Sequence, residues 1–145
     1  ASLTSRLAEM SFNEEEASGA GDPDRPLSGA ELALMCYRKY GQYHDMALKC
    51  DKIQLLSDQR LVVVNIYYAY YGQLNPRFQY SEAEYLMKLD AIAGAINQWK
   101  QAAFVREFFQ EKPTAYRGLP SRPRWDTAVS IRLNKSPTWN DALVD

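Results

Sequence analysis

The sequence has 145 residues, 46% hydrophobic and 24% charged, the size and composition of one folded domain with tails. A formal net charge of −1 argues against wholesale nucleic-acid binding, which needs a clear excess of Lys and Arg. The longest aliphatic run, Leu61-Val62-Val63-Val64, falls far short of the ~20 apolar residues of a membrane-spanning helix.

Residues 1–26 read as an acidic arm. Leu3, Leu7 and Met10 stand at helical spacing, enough for one or two amphipathic turns. Glu14-Glu15-Glu16 follows, and the Gly/Pro/Asp-rich stretch that ends at Pro26 has linker composition. Leu3 and Leu7 are candidates for partner contact, the alternative being that the arm packs back on its own domain. The first residue is Ala1, not Met, which fits removal of a targeting peptide from an organellar protein.

The domain is expected over 27–133. Ser28-Gly29-Ala30-Glu31 is a capping box, with Leu27 and Leu32 as its hydrophobic staple. Leu32, Met35, Cys36 and Tyr40 share a face of the helix it starts, and Gly41 stops that helix. In 43–50, His44, Met46, Leu48 and Cys50 alternate with more polar neighbours, as in a half-buried strand. Residues 60–71 are apolar on both faces and read as a central strand, joined to the first through a turn at Ser57-Asp58-Gln59. After a loop with Asn75-Pro76, Ser81-Glu82-Ala83-Glu84 is a second capping box, with Tyr80 and Tyr85 as staple. Tyr85, Leu89, Ile92, Ile96 and Trp99 form one stripe, and its phase changes at Lys100. Val105, Phe108 and Phe109 define a new face, which predicts a separate helix over about 102–111 that ends at Pro113. Thr127–Leu133 reads as the last strand, and 134–145 as a tail. The predicted fold class is α+β: a small, mainly antiparallel sheet of about three strands, helices on one face, order α-β-β-α-α-β, with extended N- and C-terminal tails.

These elements resemble domain-of-unknown-function family 3067, of cyanobacteria and plastid-bearing eukaryotes. The matching residues span about 28–133. They are Ser28-Gly29 with Glu31-Leu32, Lys39-Tyr40-Gly41, Tyr43 with Asp45, Gln73, Ser81-Glu82 with Glu84-Tyr85-Leu86, Leu89-Asp90-Ala91-Ile92, Trp99, Val105-Arg106, and Pro123-Arg124 followed by Ala128-Val129-Ser130-Ile131 and Leu133. Where the family tends to carry Gly, this chain has Lys100 and Asp126; where it tends to carry Pro, Arg132; and Tyr67-Tyr68 replaces a Met-Trp pair. The resemblance implies a chloroplast home and a link to oxygenic photosynthesis. It implies no reaction.

The chemistry-bearing side chains are few. His44 is the only histidine and has no partner at triad or zinc spacing, so a structural role is expected. Cys36 and Cys50 do not form a Cys-x-x-Cys pair, fit free thiols in a reducing compartment, and both fall on faces expected to be buried. Glu82 and Glu84 belong to the start of their helix, where they favour its dipole. One alternating half of Tyr67, Tyr68, Tyr70 and Tyr71 should be core, leaving the other half for a partner or pigment. The stretch 112–135 carries Lys112, Arg117, Arg122, Arg124, Arg132 and Lys135 against the single acid Asp126. Tyr116, Arg117, Arg122, Arg124 and Trp125 there, with Trp139 in the tail, mix guanidinium and aromatic groups as interface hot spots do.

Taken together, the expectation is a non-enzymatic peripheral subunit on the stromal side of a thylakoid photosynthetic complex, photosystem I favoured. A transient assembly or regulatory factor is the alternative, with a thiol-based enzyme or an RNA-binding module behind it. The expected partners are protein subunits, with lipid-headgroup or pigment contact as further options and no nucleic acid. No catalytic residue, cofactor or metal site is expected.

Overall fold

Ser28 opens the central helix of the molecule as its sequence dictates. Its backbone is extended, and its hydroxyl accepts from Glu31 N–H at 3.1 Å. Gly41 closes the same helix with φ of 81°, the left-handed conformation that glycine adopts without strain. In the computed structural model, which describes residues 2–18, 21–52, 60–115 and 117–144, the elements run as follows. They are α1 (Leu3–Ser18), α2 (Gly29–Tyr40), β1 (His44–Lys52), β2 (Arg60–Tyr70), α3 (Glu82–Gln98), α4 (Ala102–Gln110) and β3 (Val129–Arg132), then 3₁₀ turns at Leu133–Lys135 and Asp141–Leu143. The fold is α+β with a three-stranded antiparallel sheet in the order β1-β2-β3, so the long apolar strand is central. The turn expected at Ser57-Asp58-Gln59 lies outside the described residues.

The core lies between the helices and one face of the sheet. Met46, Val62, Val64, Ile66 and Ile131 are buried there against Leu32, Cys36, Tyr85, Leu89 and Ile96. On the opposite face Ser130 Oγ donates to Asn65 Oδ1 at 2.5 Å, and Asn65 Nδ2 donates to the Tyr67 hydroxyl at 3.4 Å. The expected alternation of tyrosines fails because the β1–β2 register shifts between His44 and Met46. Tyr70 packs edge-on to His44, Tyr71 stacks on Tyr85, and Tyr68 is exposed.

α2 touches α1, α3, α4 and β1. Its contact with α3 is close because Gly29 has no side chain. Gly29 N–H donates to Asp90 Oδ1 at 2.6 Å, and a Cβ at residue 29 would stand 2.4 Å from the Asp90 backbone nitrogen. Next to it, Asn97 and Leu27 exchange two hydrogen bonds, each 2.8 Å, between the side-chain amide and the backbone. Gly29→Ala is therefore expected to force α2 and α3 apart and cost about 1–3 kcal/mol. The drop in urea midpoint, set beside that of Gly94→Ala, which has open space around it, checks this.

The phase change at Lys100 is a real break. α3 ends at Gln98, Lys100 takes φ of 59°, and α4 begins at Ala102. A left-handed residue here explains why glycine suits the position. Ser81 and Glu84 complete their capping box in both directions. The box at Ser28 is only half formed, because the Glu31 carboxylate is drawn away to Arg106 on α4, with Nε at 2.7 Å and Nη2 at 3.0 Å.

Both tails depart from the extended form expected. The arm contains a 16-residue helix, α1, packed on α2. Leu7 is 1% exposed in the core and Leu3 packs against it. Arg6 forms a two-pronged ion pair with Glu82 at 2.7 and 2.9 Å, and Thr4 shares a 2.6 Å hydrogen bond with the Tyr43 hydroxyl. The C-terminal tail folds back to the α3–α4 junction. Trp139 meets Trp99 edge-to-face at 5.8 Å, and buried Gln101 donates to Thr138 Oγ1 at 3.2 Å.

Candidate interaction surface

The two groups most able to do chemistry are placed for structure. His44 is buried, with Nδ1 3.0 Å from the Tyr68 carbonyl and its ring edge-on to Tyr40 and Tyr70. Burial holds its pKa below the ordinary 6.5. The unfolded chain takes up a proton near pH 6.5 that the folded chain resists, so stability is full above that value and falls as pH drops through it. Unfolding midpoints are expected to be lower at pH 5.5 than at 7.5, with this difference lost in His44→Gln; equal wild-type midpoints would contradict it. Glu82 and Glu84 have pKa values below the usual 4.5, set by hydrogen bonds from Arg6 and from Ser81, and act in a separate, more acid window.

Cys36 is buried, donates to the Gln42 carbonyl at 3.5 Å, and burial pushes its pKa up to about 12, the opposite of an activated thiolate. Cys50 is exposed, contrary to the sequence reading. It pairs with Val62 on the edge strand β1, whereas Val62 is covered from the other side, where its N–H donates to Asn134 Oδ1 at 3.2 Å. Among the described residues no group of three or more His, Cys, Asp or Glu could hold a metal.

A concavity of about 800 Å³ lies between α1, α2, α4 and the 21–25 segment. Its central charges already satisfy one another. Arg106 is 6% exposed and binds Glu31, while Arg25 reaches Glu31 at 3.4 Å and Glu15 at 3.7 Å. It is an ionic strut between elements.

The basic, aromatic stretch is open to solvent. Arg124 and Thr127 bond in both directions, at 2.9 and 3.1 Å, closing a tight turn with Trp125 and Asp126 at its tip. Trp125 is 85% exposed on that turn. Arg117, Arg122 and Arg124 are exposed, and Arg122 reaches back to the Tyr40 carbonyl at 3.5 Å. The turn feeds directly into β3, where Arg132 is also exposed. Tyr116 lies outside the described residues. Of the other candidates, Leu3, Leu7 and Trp139 are engaged with their own domain, so the surface narrows to Arg117, Arg122, Arg124 and Trp125. Sequence reasoning missed Phe104, Phe108 and Leu119, which line a groove beside β3 with Arg132 and Lys135. The groove draws on three separated segments, and no local pattern announces it.

No helix among the described residues is long and apolar enough to cross a membrane. The chain resembles the solution NMR structure of the Alr2454 protein from Nostoc sp. strain PCC 7120, with 24% identity and a TM-score of 0.57 over 74% of this chain and 88% of that one. That likeness is one of fold. No curated protein matches. A family model described as a domain of unknown function, DUF3067, matches residues 30–141, from the second residue of α2 to the last 3₁₀ turn, and the chain belongs to that family.

Proposed function

We propose that this protein is a non-enzymatic peripheral partner of a thylakoid photosynthetic complex on the stromal side of the chloroplast membrane, with photosystem I favoured. The observation that carries the binding role is Trp125, a large aromatic held almost fully in water at the tip of a doubly hydrogen-bonded turn among arginines. A rigid, exposed Trp loses little entropy on docking and contributes strongly once desolvated. The location rests on the family resemblance.

One observation favours a transient assembly or regulatory factor over a permanent subunit. The arm and tail, which would brace a permanent subunit across its neighbours, are folded onto their own domain through Leu7 and Trp139. Native-gel separation of thylakoid complexes tests the proposal. Co-migration with a photosystem supports it, and stoichiometry in the mature complex separates subunit from assembly factor. Recovery only as a free monomer in the stroma at every salt concentration overturns it.

A further inference from the structure

β3 is a four-residue edge strand, paired with β2 on one side. Its other side borders a groove of about 320 Å³ whose lining includes every residue from Ala128 to Arg132. Side chains of a strand alternate between faces, so a groove touched by five consecutive residues meets the strand along its edge, where backbone N–H and C=O groups point outward. Phe104 and Phe108, one helical turn apart on α4, and the partly exposed Leu119 supply apolar surface across from that edge. The charged residues among the described lining are Arg132 and Lys135, both positive.

We propose that this groove binds an extended acidic peptide segment of a partner protein, which adds as a fourth strand along β3. Main-chain hydrogen bonds to the outer edge would hold the segment, alternate apolar side chains would rest on Phe104 and Phe108, and acidic side chains would meet Arg132 and Lys135. A second copy of this chain would bring its own Arg132 and Lys135 to the groove rather than acids, and so lacks the complementary charge. Positive residues on an edge can also serve only to prevent pairing, and Phe104 and Phe108 also pack against the core; binding of an acidic peptide at the groove separates the two readings. The inference rests on the reading of the protein as an interaction module, and names the chemistry of its partner.

The test uses the full chain and a set of eight-residue peptides alternating Glu or Asp with Val, Ile or Phe. The controls are the same peptides with Lys for the acids, and the same peptides N-methylated at alternate amides. Binding is read by fluorescence anisotropy up to 1 mM peptide, and the site by amide hydrogen exchange. The expected result is saturable binding of acidic peptides with slowed exchange over Val129–Arg132. N-methylation in one of the two registers, and separately R132E/K135E, should each weaken binding at least 10-fold, and the Lys peptides should then prefer the charge-swapped variant. Arg132 and Lys135 are exposed, so this variant should keep the wild-type melting temperature. Binding that N-methylation leaves unchanged in both registers, protection elsewhere, self-association through β3, or no binding by any acidic peptide would each overturn the inference. Co-migration with a photosystem alongside any of those outcomes would leave the functional proposal standing, and peptide binding without co-migration would do the reverse.

Discussion

Arg106→Ala is expected to lower the free energy of unfolding by about 3–5 kcal/mol, the range for stripping one partner from a buried ion pair. All five guanidinium N–H groups are engaged. Nε and Nη2 hold Glu31 at 2.7 and 3.0 Å, Nη1 donates to the Pro23 and Arg25 carbonyls at 2.7 Å each, and Nη2 reaches the Pro26 carbonyl at 3.2 Å. One side chain on α4 thus fixes the 23–26 segment and the first turn of α2. Truncation leaves three carbonyls without their donor and a partly buried carboxylate with only the long contacts from Arg25, at 3.4 Å. Arg106→Lys keeps the charge but loses the planar fork, and should recover less than half of the deficit. Urea unfolding of wild type, R106A, R106K, E31A and E31A/R106A checks this, the double variant being expected to lose less than the sum of the E31A and R106A losses. A loss under about 1 kcal/mol for R106A would show the pair to be worth no more than a surface contact.

The second large effect concerns the arm. Leu7→Ala should weaken the docking of α1 by about 2–5 kcal/mol, the cost of truncating a fully buried leucine. The polar ties, among them the solvent-exposed Arg6–Glu82 pair, the Thr4–Tyr43 hydrogen bond and the long Arg25–Glu15 pair, cannot compensate. Amide exchange over 3–18 should therefore accelerate between roughly 30-fold and several thousand-fold. The sheet and α3 should change less, since the 21–28 segment is held separately by Arg106 and Asn97. Unchanged exchange in α1 would mean that it is held by something other than its apolar face.

Elements written in local chemistry were legible in the sequence. The Ser81–Glu84 box, the Gly41 stop, the break at Lys100 and the central position of β2 each depend on residues within a few positions of one another. Features set by distant residues were not. Glu31 looks like the reciprocal half of a capping box until Arg106, 75 positions away, takes its carboxylate. Three leucine and methionine positions suggest only a turn or two of helix, and α1 reaches Ser18 because Leu7 finds a core to enter. Cys50 continues an alternating pattern on a strand whose cover does not extend to it. At the surface, Arg124 and Trp125 were readable from composition. The turn that presents them, the withdrawal of Trp139 onto Trp99, and the groove beside β3 arise from tertiary contact.

A photo-crosslinking aromatic amino acid placed at position 125 in the chain, expressed in chloroplasts and illuminated, asks directly whether that turn is where the protein is recognised. The account predicts a discrete adduct with a subunit of a thylakoid complex, suppressed when the neighbouring arginines Arg122 and Arg124 are replaced by Glu. Illumination that yields only uncrosslinked monomer from position 125, while a probe at exposed Met87 captures a thylakoid subunit, would contradict it.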